Sequence, residues 1–123
     1  MNCADLMIRD LPAVKPSDTA RDTARRMRDH NLGILPVCDR HGHLLGAVTD
    51  RSMTFGIIAG DHPAMTHVRE VMSSEHPRCR ETDDISIAAA QLASHDQAVL
   101  VTDSEGRYRG LIRHSDLAGA TAH

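Results

Sequence analysis

Two short stretches hold the residue types best suited to chemistry. Gly46-Ala47-Val48-Thr49-Asp50-Arg51-Ser52 and Gly110-Leu111-Ile112-Arg113-His114-Ser115-Asp116 each pass from a glycine through apolar residues into a polar cluster. A strand that gives way to a helix at such a cluster exposes unpaired N–H groups, whose partial positive charge favours anions such as phosphate. A hydroxyl placed like that of Thr49 adds a hydrogen bond to a phosphate oxygen. A carboxylate three residues later, one turn further round, can accept from both hydroxyls of a ribose. Thr-x-x-Asp after a strand therefore suits a nucleotide. Thr, Ser and Asp also cap helices whatever the ligand. What favours the ligand reading is recurrence at equivalent positions.

That recurrence runs through the whole chain. Ala4-Asp5-Leu6-Met7 returns sixty-five positions later as Arg69-Glu70-Val71-Met72, with Pro12 on Pro77, Met27 on Leu92 and His30 on His95. After a one-residue deletion, Val37-Cys38-Asp39 falls on Val101-Thr102-Asp103, Gly42 on Gly106 and Gly46 on Gly110. The expected division is residues 1–60, a linker at 61–64 that begins near Gly60, and residues 65–123.

Each copy reads the same way. An opening helical turn (Ala4–Met7; Val68–Met72) leads through Pro12 or Pro77 into a short extended piece. Ser17-Asp18 and Thr82-Asp83 are suited to start a helix. Ile85, Ala88, Ala89 and Leu92 then form an apolar stripe at helical period, echoed more weakly by Ala20, Ala24 and Met27. Two strands follow in each copy, 34–39 with 43–49 and 98–103 with 107–113, joined by glycine-containing turns. A last helix begins at Arg51 or Ser115. The fold class is α+β, two β-α-β-β-α repeats. A unit of about sixty residues is marginal alone, so the two are expected to pack about a pseudo-two-fold axis.

Composition narrows the function further. The net charge of -3 and a total of two aromatics, Phe55 and Tyr108, leave neither a basic surface nor a stacking platform for nucleic acid. The arginines of residues 21–28 alternate with Asp18, Asp22 and Asp29 and read as a solvated helix face. Cys3, Cys38 and Cys79 are odd in number and far apart in sequence, which is no disulfide framework. No apolar run approaches membrane-spanning length, and the amino terminus lacks a signal-peptide pattern, so a cytoplasmic setting is expected. No nucleophile elbow, Walker loop or paired carboxylates in a repeated apolar setting occur, so catalysis is not expected. His41-Gly42-His43 has no further ligands to complete a metal site, and none is expected.

The motifs and their spacing resemble a tandem cystathionine-β-synthase (CBS) domain pair, or Bateman module, of the stand-alone bacterial type. The matching stretches are Ala4–Met7, Gly33–Val37, Gly42–Arg51, Val68–Met72 and Gly106–Asp116, close to the full length. The resemblance implies a regulatory module that binds AMP, ADP or ATP in a cleft between its repeats and needs no other cofactor. It also implies a homodimer, acting on an effector protein that the sequence does not identify. Carried over, the first site would use Thr49, Asp50 and Ser52, with Val14, Ile34 and Pro36 around the base. The second would use Arg113, His114 and Asp116, with Cys79, Ala98 and Leu100 around the base.

Each copy departs from the family motif in a different half. Ser52 stands where the ribose carboxylate belongs, and Arg113 where the phosphate hydroxyl belongs. Guanidinium binds phosphate well, often through two parallel bonds, so the Arg113/Asp116 site is expected to bind better. The competing reading is a degenerate pair that serves as a dimerisation scaffold.

Overall fold

The computed structural model describes residues 1–59, 65–92 and 98–121. The expected linker at 61–64 and the match of His30 to His95 lie outside them. The described elements are α1 (Cys3–Leu6), α2 (Ala20–Asp29), β1 (Ile34–Cys38), β2 (Leu44–Thr49) and α3 (Asp50–Ala59), then a 3-10 turn at Val68–Glu70. They continue with β3 (Arg78–Arg80), α4 (Ile85–Gln91), β4 (Ala98–Thr102), β5 (Tyr108–Arg113) and α5 (His114–Thr121). The strand-helix-strand-strand-helix order holds in the second copy. In the first copy the opening strand shrinks to one parallel bridge, Val14 to Val37.

Both hairpins are built on one turn chemistry. The Asp39 carboxylate accepts from the N–H groups of His41 and His43, and Asp103 accepts from those of Glu105 and Arg107. Gly42 and Gly106 close these turns at φ 84° and 82°, where an L side chain is strained. Both antiparallel pairs then shift register at the same place, between Val37 and Cys38 and between Val101 and Thr102.

The helix starts fall one or two residues later than expected, for a reason repeated in both copies. Asp18 and Asp83 close the preceding turn by accepting the N–H of Lys15 and Arg80. Capping passes to Thr19, which accepts from Asp22 N–H, and to Asp84, which accepts from Ser86 N–H. The buried stripe of α2 is Ala20, Thr23 and Met27, whereas Ala24 is exposed. Thr23 tolerates full burial because its hydroxyl donates to Thr19 O at 2.9 Å. On α4, Ala88 is buried and Ala89 is exposed, and Leu92, just past its end, is buried.

The chain forms two compact units, and these are not the sequence repeats. One is Pro12–Glu75; the other joins Met1–Leu11 to His76–His123. In the first, β1 pairs with β2, and Ser73 exchanges two backbone bonds of 2.9 Å with Ala47. Its core gathers Val14, Ala20, Met27, Leu35, Val37, Val48, Met53 and Val68. In the second, a three-stranded sheet runs in the order β3-β4-β5, with β3 parallel to β4. There Ile8 exchanges backbone bonds with Leu111, and the core gathers Cys3, Met7, Cys79, Ala88, Val99, Val101 and Ile112. Each unit thus takes its opening segment from the other sequence copy.

Candidate functional site

The two strand-to-helix junctions are built alike, and each is closed on itself. At the start of α3, Thr49 N–H donates to Ser52 Oγ at 2.9 Å, and Ser52 N–H donates to Thr49 Oγ1 at 3.0 Å. This is the reciprocal capping arrangement, which satisfies two otherwise orphaned donors. The Ser52 hydroxyl also donates to Thr49 O at 3.1 Å. Asp50, the first residue of α3, accepts from Arg51 N–H through Oδ1.

At the start of α5 the Asp116 carboxylate accepts from Arg113 N–H at 2.9 Å. It also accepts from the guanidinium through both oxygens, at 3.2 Å each. Asp116 is the more enclosed partner, with 17% of its side chain exposed against 49% for Arg113. The hydrogen bond to Asp116 holds the Arg113 pKa above its usual value. The guanidinium and the carboxylate therefore stand together at a helix start, each now the other's counter-ion. His114 is the exposed first residue of α5.

Four of the residues assigned to the base lie in the strands antiparallel to those that end at these junctions, with Ile34 opposite Thr49 and Ala98 opposite Arg113. Ile34 and Pro36 in β1, and Ala98 and Leu100 in β4, are buried on the strand faces opposite Leu35, Val37, Val99 and Val101. Val14 and Cys79 are placed differently, in the apolar cores of their units. Val14 also spends its backbone on β1, donating to Pro36 O and accepting from Cys38 N–H. The Val14 side chain packs with Ala20, Leu35 and Val37 in its core, and the Cys79 thiol is turned to Cys3, with the sulfurs 3.3 Å apart.

One residue near the second junction was not legible in the sequence. His76 Nε2 lies 2.8 Å from Ala98 O, and with a carbonyl as partner that nitrogen is the protonated one. No spacing rule marks His76, because its partner is twenty-two positions away. Of the predicted residues, Asp50 borders a cavity of about 420 Å³ between α2 and α3, along with Met27, Arg28, Gly33 and Met53. Cys79 borders one of about 450 Å³, along with Arg78, Arg80, Asp83 and Thr102. Among the described residues, no group of three or more His, Cys, Asp or Glu is placed to hold a metal. None of the described helices is long and apolar enough to cross a membrane.

Comparison with known proteins matches this architecture. The family model for the CBS domain fits residues 3–58 and again 68–123. The CBS domain-containing protein YhcV of Bacillus subtilis is 30% identical over 93% of this chain and 81% of its own length. Among solved structures, CBSX2 of Arabidopsis thaliana in complex with AMP superposes with a TM-score of 0.86 at 22% identity, covering 98% of this chain and 96% of that one. Hypoxic Response Protein I with two coordinated zinc ions, whose namesake in Mycobacterium tuberculosis is among the curated relatives, gives 0.86 at 25% identity, covering 97% and 98%. With two fitted domains spanning nearly all its length, the chain belongs to the CBS-domain family as a tandem pair.

Proposed function

We propose that this CBS pair is a regulatory, non-catalytic module that binds an adenine nucleotide (AMP, ADP or ATP) at its strand-to-helix junctions. The observation that carries this reading is the paired guanidinium and carboxylate at the start of α5. A nucleotide phosphate would take over Arg113, and the released Asp116 carboxylate would accept the ribose hydroxyls. His114 adjoins the phosphate position. The Thr49/Ser52 junction, with no carboxylate at the ribose position, would be the weaker site. The AMP bound by the structural neighbour CBSX2 supports the choice of ligand class. The module would act in the cytoplasm as a homodimer, and binding would shift its conformational population in a way an effector protein reads.

Calorimetry with AMP, ADP and ATP tests the reading on the wild type and on Asp116→Ala and Ser52→Ala. Loss of a charge-assisted hydrogen bond costs about 1.5–3 kcal/mol, so Asp116→Ala is expected to weaken binding about tenfold or more. Ser52→Ala is expected to change it little. Unchanged affinity in the Asp116 variant sinks the assignment. The scaffold reading has its own support, since both junctions already satisfy themselves internally. It predicts a dimer whose thermal midpoint no adenine nucleotide raises, whereas a bound ligand stabilises by mass action.

A further inference from the structure

Cys3 and Cys79 are seventy-six positions apart in the chain, yet their Sγ atoms lie 3.3 Å from each other. Cys3 opens α1 and Cys79 is the middle residue of β3, and both belong to the same compact unit. Cys38, the third cysteine, is buried in the other unit, so the odd count resolves into one pair and one single thiol. An S–S bond needs the two sulfurs about 1.3 Å closer, a shift within the reach of side-chain rotation.

Burial holds both thiols above the usual range, so neither is a nucleophile while α1 stays docked. Yet α1 is a single turn near the amino end. Its backbone ties run from Cys3 N–H to Asp83 O, Ala4 N–H to Glu81 O and Ile85 N–H to Met1 O, and Cys3 lies in the core of the unit with Ala4 and Leu6 packed against it. Local opening of such a short segment is a sub-global fluctuation that can precede global unfolding. Opening brings Cys3 to solvent, and re-docking returns it to Cys79.

We infer that Cys3 and Cys79 form a dithiol modification site, which a hydroperoxide oxidises to an intramolecular disulfide that pins the amino-terminal segment to β3. In the open state the Cys3 thiolate attacks the peroxide O–O bond, giving a sulfenic acid and releasing alcohol or water. On re-docking, the Cys79 thiol gives up its proton and attacks the Cys3 sulfur, displacing hydroxide, which leaves as water. One hydroperoxide and two thiols become one disulfide, one water and one alcohol (or a second water). Cys79 is also assigned to the base of the second nucleotide site, but the dithiol site rests on the Cys3–Cys79 geometry and is tested without nucleotide.

Exposure of the native, reduced chain to hydrogen peroxide, followed by thiol titration and peptide mapping, tests this. The three free thiols should fall to one, the mass should drop by two hydrogens, and the crosslinked peptides should be those of Cys3 and Cys79. The oxidised chain should melt higher than the reduced one, and dithiothreitol should reverse the shift. Cys38→Ser should keep the crosslink, and Cys3→Ser should abolish it. A crosslink through Cys38, or Cys3 passing to sulfinic acid in the wild type, overturns the inference. So does a Cys3–Cys79 bond that forms only after denaturation. The wild-type map is decisive without the variants, should a serine in this core prevent folding.

Discussion

Asp116 does two jobs that a substitution can separate. Its carboxylate caps the start of α5 by accepting Arg113 N–H, and it also grips the guanidinium of the same residue. The half-exposed guanidinium contact is of the surface kind, worth ~0–1 kcal/mol. The cap is worth about 1 kcal/mol. Arg113→Ala removes only the guanidinium contact, because the alanine still presents its N–H to Asp116. Asp116→Ala removes both. Denaturant unfolding should therefore show Asp116→Ala less stable by ~1–2 kcal/mol and Arg113→Ala by under ~1 kcal/mol. The reverse order would mean that the ion pair, and not the cap, holds the junction. At this scale the sequence displays the reactive types and their i, i+3 spacing but not their partners. Thr49 and Ser52 satisfy each other, as do Arg113 and Asp116, because the first turn of a helix makes such pairs neighbours whatever else they could bind. Cys3 and Cys79 were invisible as a pair, since no local rule predicts a contact made by an exchanged segment.

Hairpins are the elements the sequence shows best, because turn glycines act locally. Helix starts are placed to within two residues, because neighbouring polar side chains compete for the cap. The two hairpins share a testable dependence on acid. Although partial burial opposes ionisation of Asp39, the N–H groups of His43 and His41 hold its carboxyl below the ordinary range. The N–H of Arg107, with that of Glu105, does the same for Asp103. A carboxyl whose pKa is depressed by folding contributes stability above its unfolded value, about 4, and loses it as pH falls through the folded value. The melting temperature should therefore decline below about pH 4, and Asp39→Asn with Asp103→Asn should flatten that decline. An unaltered acid profile would show that these turns do not couple to titration. Glycines make a second test on β2 and β5. A Cβ on Gly46 would strike Ser73 O and lie 2.8 Å from Met72 Cε, and one on Gly110 would lie 2.6 Å from Ile8 O. Such backbone collisions leave no room to adjust, so Gly46→Ala and Gly110→Ala should each cost ~1–3 kcal/mol. Gly119 in α5 meets nothing within 4 Å, and Gly119→Ala should be neutral or stabilising by up to ~1 kcal/mol. Chemical denaturation of the three variants checks the ranking, and equal effects would refute the close-approach argument. The apolar stripe of α2 misleads at Ala24 because periodicity counts apolar residues, whereas the fold buries Thr23 once its hydroxyl is paired.

Across the whole molecule, the sequence shows two copies while the structure shows two units with exchanged openings. The repeat is legible because equivalent residues recur at fixed offset. The exchange is not, because Met7 and Met72 match each other equally well whichever sheet they join. In the structure Met7 enters the core of the unit that holds β3–β5, and Met72 packs against the core that holds Val37 and Val48. The backbone repeats the exchange, with Ile8 bonded to Leu111 and Ser73 to Ala47. Removing residues 1–11 separates the two organisations. If each sequence copy were its own unit, the loss would strike the sheet of β1 and β2 first. With the openings exchanged, it instead strips Cys3 and Met7 from the other core and leaves Leu111 N–H without its acceptor. Hydrogen exchange on the shortened chain should then show Leu111 and its neighbours in β5 losing protection. The mutual pair of Ala47 and Ser73 should keep most of theirs, since every group that holds it lies within Pro12–Glu75. Greater loss at Ala47 than at Leu111 would mean that the amino-terminal segment supports its own repeat in solution.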